Sequence, residues 1–162
     1  MSEPFQPAPP TGFPSAPGGP TGPRAGFWVR VGAFIIDVLV VGVVGIVLLI
    51  VGAVAESGIL IVIGYLVWIV GFAVYEIYFH GSDSGQTVGK RAVGIRVIDF
   101  ATGGPIGYGR AAIRMLGRII SGTFCYLGYL WMLWDKEKQT WHDKMANDVV
   151  VPTSVYPVER WP

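Results

Sequence analysis

The sequence predicts an all-α membrane protein made of a transmembrane helical hairpin, a third short or re-entrant membrane helix and a small β-hairpin on the cytoplasmic side. Three observations predict it. The 162 residues are 52% hydrophobic and 14% charged, whereas soluble domains carry about 25% charged residues. Two long uncharged runs, Val38 to Ala55 and Ser57 to Tyr75, are separated only by Glu56, and each is long enough, at about 1.5 Å per residue, to cross the roughly 30 Å hydrocarbon core of a bilayer. Finally, Lys and Arg are missing from the connection around Glu56 and crowd into the segment that follows the second run.

Residues 1–26 hold most of the prolines, in PFQPAPPTGFPSAPGGPTGP. They read as a disordered tail with polyproline II character, either a tether or a ligand for a proline-recognition domain. The tail is long and nearly uncharged, unlike the short basic start of a signal peptide. Ala53-Val54-Ala55 has the small-x-small look of a cleavage site, but the run before it is too long for a signal core and contains Asp37. The first span is therefore expected to be retained.

Residues 27–151 form the predicted membrane domain, and 152–162 a short polar tail. Phe27 to Ala55 opens it, with Arg30 and Asp37 at the entrance. Seven steps of about 100° return these two to one helix face, roughly 10 Å apart along the axis. An aspartate at the edge of a span costs about 2.5–3.5 kcal/mol on insertion scales unless it faces protein or water. Glu56, Ser57 and Gly58 then make a tight link to the second helix, so the two must lie side by side. Glycines spread along both runs permit close packing in lipid.

From Phe79 the composition changes. Gly89-Lys90 superficially resembles a phosphate-binding loop, but the first required glycine falls at Ser84 and the Ser/Thr after the lysine at Arg91, so no nucleotide site is expected. Ala92 to Asp99 alternates in β-favouring residues and ends at Thr102-Gly103-Gly104-Pro105, the signal of a strand or hairpin. Since open strands cannot sit in lipid, it should lie outside the bilayer.

Arg110, Arg114 and Arg118 recur every four residues on an amphipathic helix. They could lie at anionic lipid headgroups, or Arg114 or Arg118 could meet Asp37 or Asp143; one helix can do both. The sixteen uncharged residues of 119–134, broken by Ser121-Gly122-Thr123 and Gly128, form either a short third span or a re-entrant element. Trp28, Trp131, Trp134 and Trp141 look like interfacial anchors. By the positive-inside rule both the amino terminus and 80–118 face the cytoplasm of a cell membrane. Three full spans would put Lys136, Lys138 and Lys144 outside, which favours the re-entrant alternative.

Formal net charge is +1, far from the basic excess that non-specific nucleic-acid binding requires, so no such partner is expected. Cys125 is the only cysteine, so no internal disulfide can form. His142-Asp143 hints at metal or acid–base chemistry, but His80 is the only other histidine and no third ligand stands at regular spacing. Neither a metal, a cofactor nor enzyme activity is therefore expected. Glu76, at the end of the second run, is either a proton-binding carboxylate or a solvated one.

Together these residues resemble the RDD family of bacterial membrane proteins, named for one arginine and two aspartates. The resemblance is carried by R-V-G-A-F-I-I-D at 30–37, G-Q-T-V-G-K-R-A-V-G-I-R-V-I-D at 85–99, Arg114, and Q-T-W-H-D-K-M-A-N-D-V-V-V at 139–151. It covers about residues 24–151. It implies that Arg30, Asp37 and Asp143 are the namesake residues, expected to form one functional charge cluster; Glu76, Arg114 and His142 are secondary candidates. The one departure is Asn147-Asp148, where the resemblance implies a Gly-Thr-like pair. For function it implies transport of an unidentified ligand by a small carrier, ion-coupled or not. Two or three spans rarely enclose a path, so a homo-oligomer is expected. The alternative is a non-transporting assembly module in which the three residues are a structural network.

Overall fold

The computed structural model of the protein describes residues 22–123, 126–158 and 161–162. The expectations for the proline-rich tail fall largely on residues 1–21, outside the described residues. Two long helices, α1 (Phe27–Val54) and α2 (Gly58–Gly81), form an antiparallel pair. Both are long and apolar enough to cross a membrane, and only 17% and 6% of their most apolar stretches are buried. A soluble core helix would be covered, whereas these open apolar faces suit a lipid environment. The link turns on Glu56 in the left-handed region (φ 48°) and on Ser57, whose hydroxyl accepts from the Leu60 amide at 3.5 Å. Gly45 and Gly52 set the closeness of the pair. A Cβ at Gly45 would come within 2.8 Å of Trp68 Cβ, and one at Gly52 within 2.9 Å of the Ile61 amide nitrogen, so no larger residue fits there.

At 28 residues, α1 is about 42 Å long, longer than the hydrocarbon core. The uncharged Val38 to Val54 is the stretch suited to that core, and the first turns, with Arg30 and Asp37, would then extend beyond it. The last turns of α2, with Glu76 and His80, lie beside them.

A second layer covers this end: α3 (Val88–Ala92), β1 (Ile95–Asp99), α4 (Gly107–Thr123), α5 (Leu127–Leu130), a 3₁₀ turn (Trp131–Leu133), α6 (Trp141–Ala146) and β2 (Asp148–Pro152). The expected turn after the first strand forms, with the Asp99 amide bonding the Gly104 carbonyl at 2.7 Å and Gly103 at φ 74°. The local hairpin does not. Past Pro105 the chain enters α4, and β1 pairs antiparallel with β2, Ile95 opposite Pro152 and Val97 opposite Val150. The physical reason is composition: Gly107-Tyr108-Gly109 offers no β-branched run, whereas Val149-Val150-Val151 does. Ile98, Val149 and Val151 pack with Tyr156, while Val97 and Val150 pack with Ala25, Ala33 and Ala111. The Ala25 amide bonds the Val150 carbonyl at 2.9 Å, tying the start of α1 to the sheet.

Residues 119–134 do not make one helix. α4 ends at Thr123, Tyr126 is left-handed (φ 59°), and α5 turns back along the last turn of α4. Gly128 allows it, since a Cβ there would sit 2.6 Å from Ser121 Cβ. Among the described residues, only α1 and α2 have the length and apolarity of a span.

Candidate functional site

The arginines of α4 meet carboxylates of the chain, one per turn. Arg110 pairs with Asp99 and also donates to the Ala146 and Asn147 carbonyls. Arg114, 3% exposed, places Nη1 between Asp143 and Asp148. Arg118 pairs with Glu76, which His80 Nδ1 also approaches at 3.1 Å. Asp99 and Asp148 face each other across the sheet, an arrangement of like charges that would be unfavourable alone. The two arginines, one turn apart, neutralise it.

Among the described carboxylates, Asp143 is the one that pairs with two arginines. It is the N3 residue of a capping box at the start of α6: Thr140 Oγ1 accepts from the Asp143 amide at 3.3 Å, and Asp143 Oδ2 accepts from the Thr140 amide at 2.9 Å. Arg30 Nη1 reaches the same Oδ2 at 2.6 Å, while Arg30 Nη2 donates to the Lys138 carbonyl at 2.8 Å. Burial pushes this carboxyl up, but the Arg114 and Arg30 guanidiniums outweigh it and hold it well below the usual range. Asp148 goes the other way. Burial dominates, Arg114 opposes, ionised Asp143 adds repulsion, and the carboxyl is pushed up to about 7. Its Oδ2 has no hydrogen-bond partner among the described residues. His142 is held well below its ordinary value, chiefly by burial. Its Nδ1 lies 3.4 Å from Ser121 Oγ and its ring meets Tyr129 edge-on at 5.1 Å.

Arg30 and Asp37, expected on one helix face and in one charge cluster, do not pair with each other. Asp37, fully buried, accepts three hydrogen bonds from uncharged donors: Tyr75 Oη at 2.6 Å, Thr87 Oγ1 at 2.7 Å and the Gly89 amide at 2.7 Å. The segment that failed as a phosphate loop is thus the receptor for this aspartate. Thr87 caps α3, accepting from the Lys90 amide at 3.2 Å while its hydroxyl donates to Asp37. A Cβ at Gly89 would stand 2.0 Å from the Ala33 carbonyl oxygen and 2.9 Å from Asp37 Cγ, so only glycine lets α3 approach α1. A carboxylate with three donors needs no cation at contact distance, which leaves Arg30 free for Asp143.

Arg30 and Asp37 nonetheless border one space, a cavity of about 350 Å³ also lined by Glu76, Lys90, Arg114 and Arg118. Phe34, Tyr126 and Leu130 give it apolar walls. Lys90 is 8% exposed and makes no ion pair within 4 Å among the described residues. Burial, with the Arg114 and Arg118 charges, pulls its ammonium down to about 8 despite Glu76 and Asp37. Lys90 and Asp148 were not singled out from the sequence. The signal for Lys90 was the Gly-Lys pair itself, considered only as a nucleotide motif. For Asp148 it was the departure at 147–148: Asn147 takes the left-handed conformation (φ 51°) that closes α6, which glycine or asparagine suits, and Asp148 follows it into the core.

No solved structure matches the chain. Over 90 residues, 56% of the chain, it is 36% identical to the proline-rich antigen homolog of Mycobacterium tuberculosis. With the proline-rich antigen of Mycobacterium leprae it shares 38% identity over 88 residues. The chain spans about a third of the length of these curated relatives, 35% and 32% respectively. An uncharacterized protein of Bacillus subtilis, YxaI, is 29% identical over 147 residues, covering 78% of this chain and 96% of that one. The RDD family model matches residues 24–147, taking in Arg30, Asp37, Arg114 and Asp143, and the chain belongs to the RDD family.

Proposed function

We propose that this chain is a small membrane carrier, working as an oligomer, that takes its ligand into the cavity where α1 meets α4 and α5. The observation that carries this reading is the cavity itself. Six Asp, Glu, Lys or Arg side chains from four elements, Arg30, Asp37, Glu76, Lys90, Arg114 and Arg118, line about 350 Å³ at the end of an apolar helix pair. Ionisable groups kept at that depth cost too much to persist without use or strict pairing. In this reading α5 and the end of α4 dip into the bilayer as a re-entrant element, the amino terminus and the second layer face the cytoplasm, and several hairpins together enclose the path.

A second reading has its own support. Arg30, Arg114 and Arg118 each bond a carboxylate, and Asp37 is satisfied by neutral donors. Such a network can simply fasten the second layer to the hairpin, leaving the chain an assembly module. Proteoliposomes separate the two. The carrier should move Na⁺, K⁺, H⁺ or an organic solute above the rate of empty liposomes, and Asp37→Asn should insert normally but lose that flux. Asp37→Asn protein indistinguishable from the parent in every flux assay would leave the module.

A further inference from the structure

Among the lysine and arginine side chains that line the cavity, Lys90 alone has no ion-pair partner among the described residues. Arg30 is taken by Asp143, Arg114 by Asp143 and Asp148, and Arg118 by Glu76. Asp37 has its three neutral donors, and Glu76 is also approached by His80 Nδ1 at 3.1 Å. Lys90 is more than nine-tenths buried, faces the cavity, and has no carboxylate within 4 Å among the described residues. Arg114 Nε, on another lining residue, likewise has no acceptor among the described residues. Burying an ammonium without a partner is costly enough that the site should either lose its proton or gain an anion. The walls around it are apolar, with Phe34 from α1 and Leu130 from α5.

We propose that the cavity is an anion site in which Lys90 receives the carboxylate or phosphate head of a small amphipathic organic anion and the apolar wall of Phe34 and Leu130 receives its body. This deepens the carrier reading by naming the class of its ligand, and rests on it for the direction of use. A metal cation is the poorer occupant. It would meet Lys90 and three arginines, and although Glu76 Oε1 has no donor among the described residues, Glu76 Oε2 is held by Arg118 and Asp37 by its three donors. A neutral solute would leave the ammonium as it is. One head charge is enough, since only one lining cation lacks a carboxylate.

The full chain in phosphatidylcholine nanodiscs, titrated calorimetrically with benzoate, benzamide and benzylammonium, tests this with three probes of one shape. Benzoate should bind at least about tenfold more tightly than the other two, a gap of roughly 1.4 kcal/mol. Lys90→Gln should erase the preference and Lys90→Arg should keep it. Benzamide or benzylammonium binding as well as benzoate, or a preference that survives Lys90→Gln, would overturn the proposal. Should Lys90→Gln fail to fold, the parent protein gives the answer: benzoate, but not benzamide, should slow reductive methylation of Lys90 read by peptide mass, and equal protection by both overturns it. Phosphatidylglycerol nanodiscs distinguish the sources. Benzoate binding suppressed there means that a lipid headgroup occupies the site, and binding undiminished there means a free organic acid. Selective benzoate binding with no flux of any solute would keep the anion site and remove the carrier, whereas cation flux with no benzoate selectivity would do the reverse.

Discussion

Asp143 and Asp148 share one guanidinium, and their opposite behaviour follows from how many other donors each has. Asp143 adds Arg30 and the Thr140 amide, whereas Asp148 Oδ2 has nothing. The sign for Asp148 is therefore unusual for a carboxylate. Its folded value of about 7 lies above an unfolded one near 4. Between those values the folded state binds the extra proton, so this group's contribution to stability falls as pH rises through the window. Asp143 has the usual sign, stabilising above its unfolded value and losing that contribution in acid. Asp148→Asn should thus gain stability relative to the parent on going from pH 5 to pH 8, by an amount on the order of 1–3 kcal/mol. Thermal unfolding of both proteins across that range checks it, and a difference flat with pH would show that Asp148 is ionised throughout. The ion pair calls for a different comparison. Arg30→Met and Asp143→Asn touch one contact, so their costs should fail to add, by about 0.5–3 kcal/mol, whereas Arg30→Met and Asp37→Asn share no partner and should add to within about 0.5 kcal/mol. Non-additivity confined to the second pair would put Arg30 on Asp37 after all.

At the scale of elements, what was legible from the sequence was what depends on local composition. The two helices, their short link, the strand at 95–99 and the arginine face of α4 all announce themselves by periodicity or by an uncharged run. The partner of that strand did not, because β1 and β2 are joined by nearly fifty residues of helix and turn, and no local pattern encodes a pairing over that distance. The site was legible in the same uneven way. Arg30 and Asp37 could be picked out as charges beside an apolar run, and Asp143 through the family resemblance, but a sequence cannot say that three uncharged donors would claim Asp37. Thr87 and Gly89 could be read only once α3 was known to rest on α1. Their importance is a matter of fit, so glycine substitutions test it. Gly89→Ala drives a methyl into the Ala33 carbonyl and should abolish accumulation of folded protein or cost several kcal/mol. Gly32→Ala, one residue from the same place with nothing within 4 Å, should cost less than about 0.5 kcal/mol. Yield after membrane extraction and the melting temperature of each variant decide between them, and equal behaviour would mean that α3 does not dock as described.

For the whole molecule, the asymmetry of charge and the asymmetry of layers agree. Every described lysine and arginine lies at the end of the hairpin that carries the second layer, and none lies at the Glu56 link. Positive charge near spans is retained on the cytoplasmic side, so the second layer should be cytoplasmic and the link should face out. The choice of reporter position follows from burial. Ser84 would be a poor one, since it is 1% exposed and its hydroxyl lies 3.0 Å from that of Ser82, so a thiol there would stay silent on either side of the membrane. Ala55 and Thr102 are exposed and lie at opposite ends of the fold. In a Cys125→Ser background, Ala55→Cys should react with an impermeant maleimide added to intact cells, and Thr102→Cys should react only after the membrane is opened. Trp134, 73% exposed beside α5, adds depth to the same experiment. If α5 re-enters the bilayer, fluorescence from this tryptophan, kept in a variant whose other tryptophans are phenylalanine, should be quenched by brominated acyl chains more than by aqueous iodide. Labelling at Thr102→Cys from outside would invert the molecule, and with it the side of the membrane on which the second layer and its cavity lie.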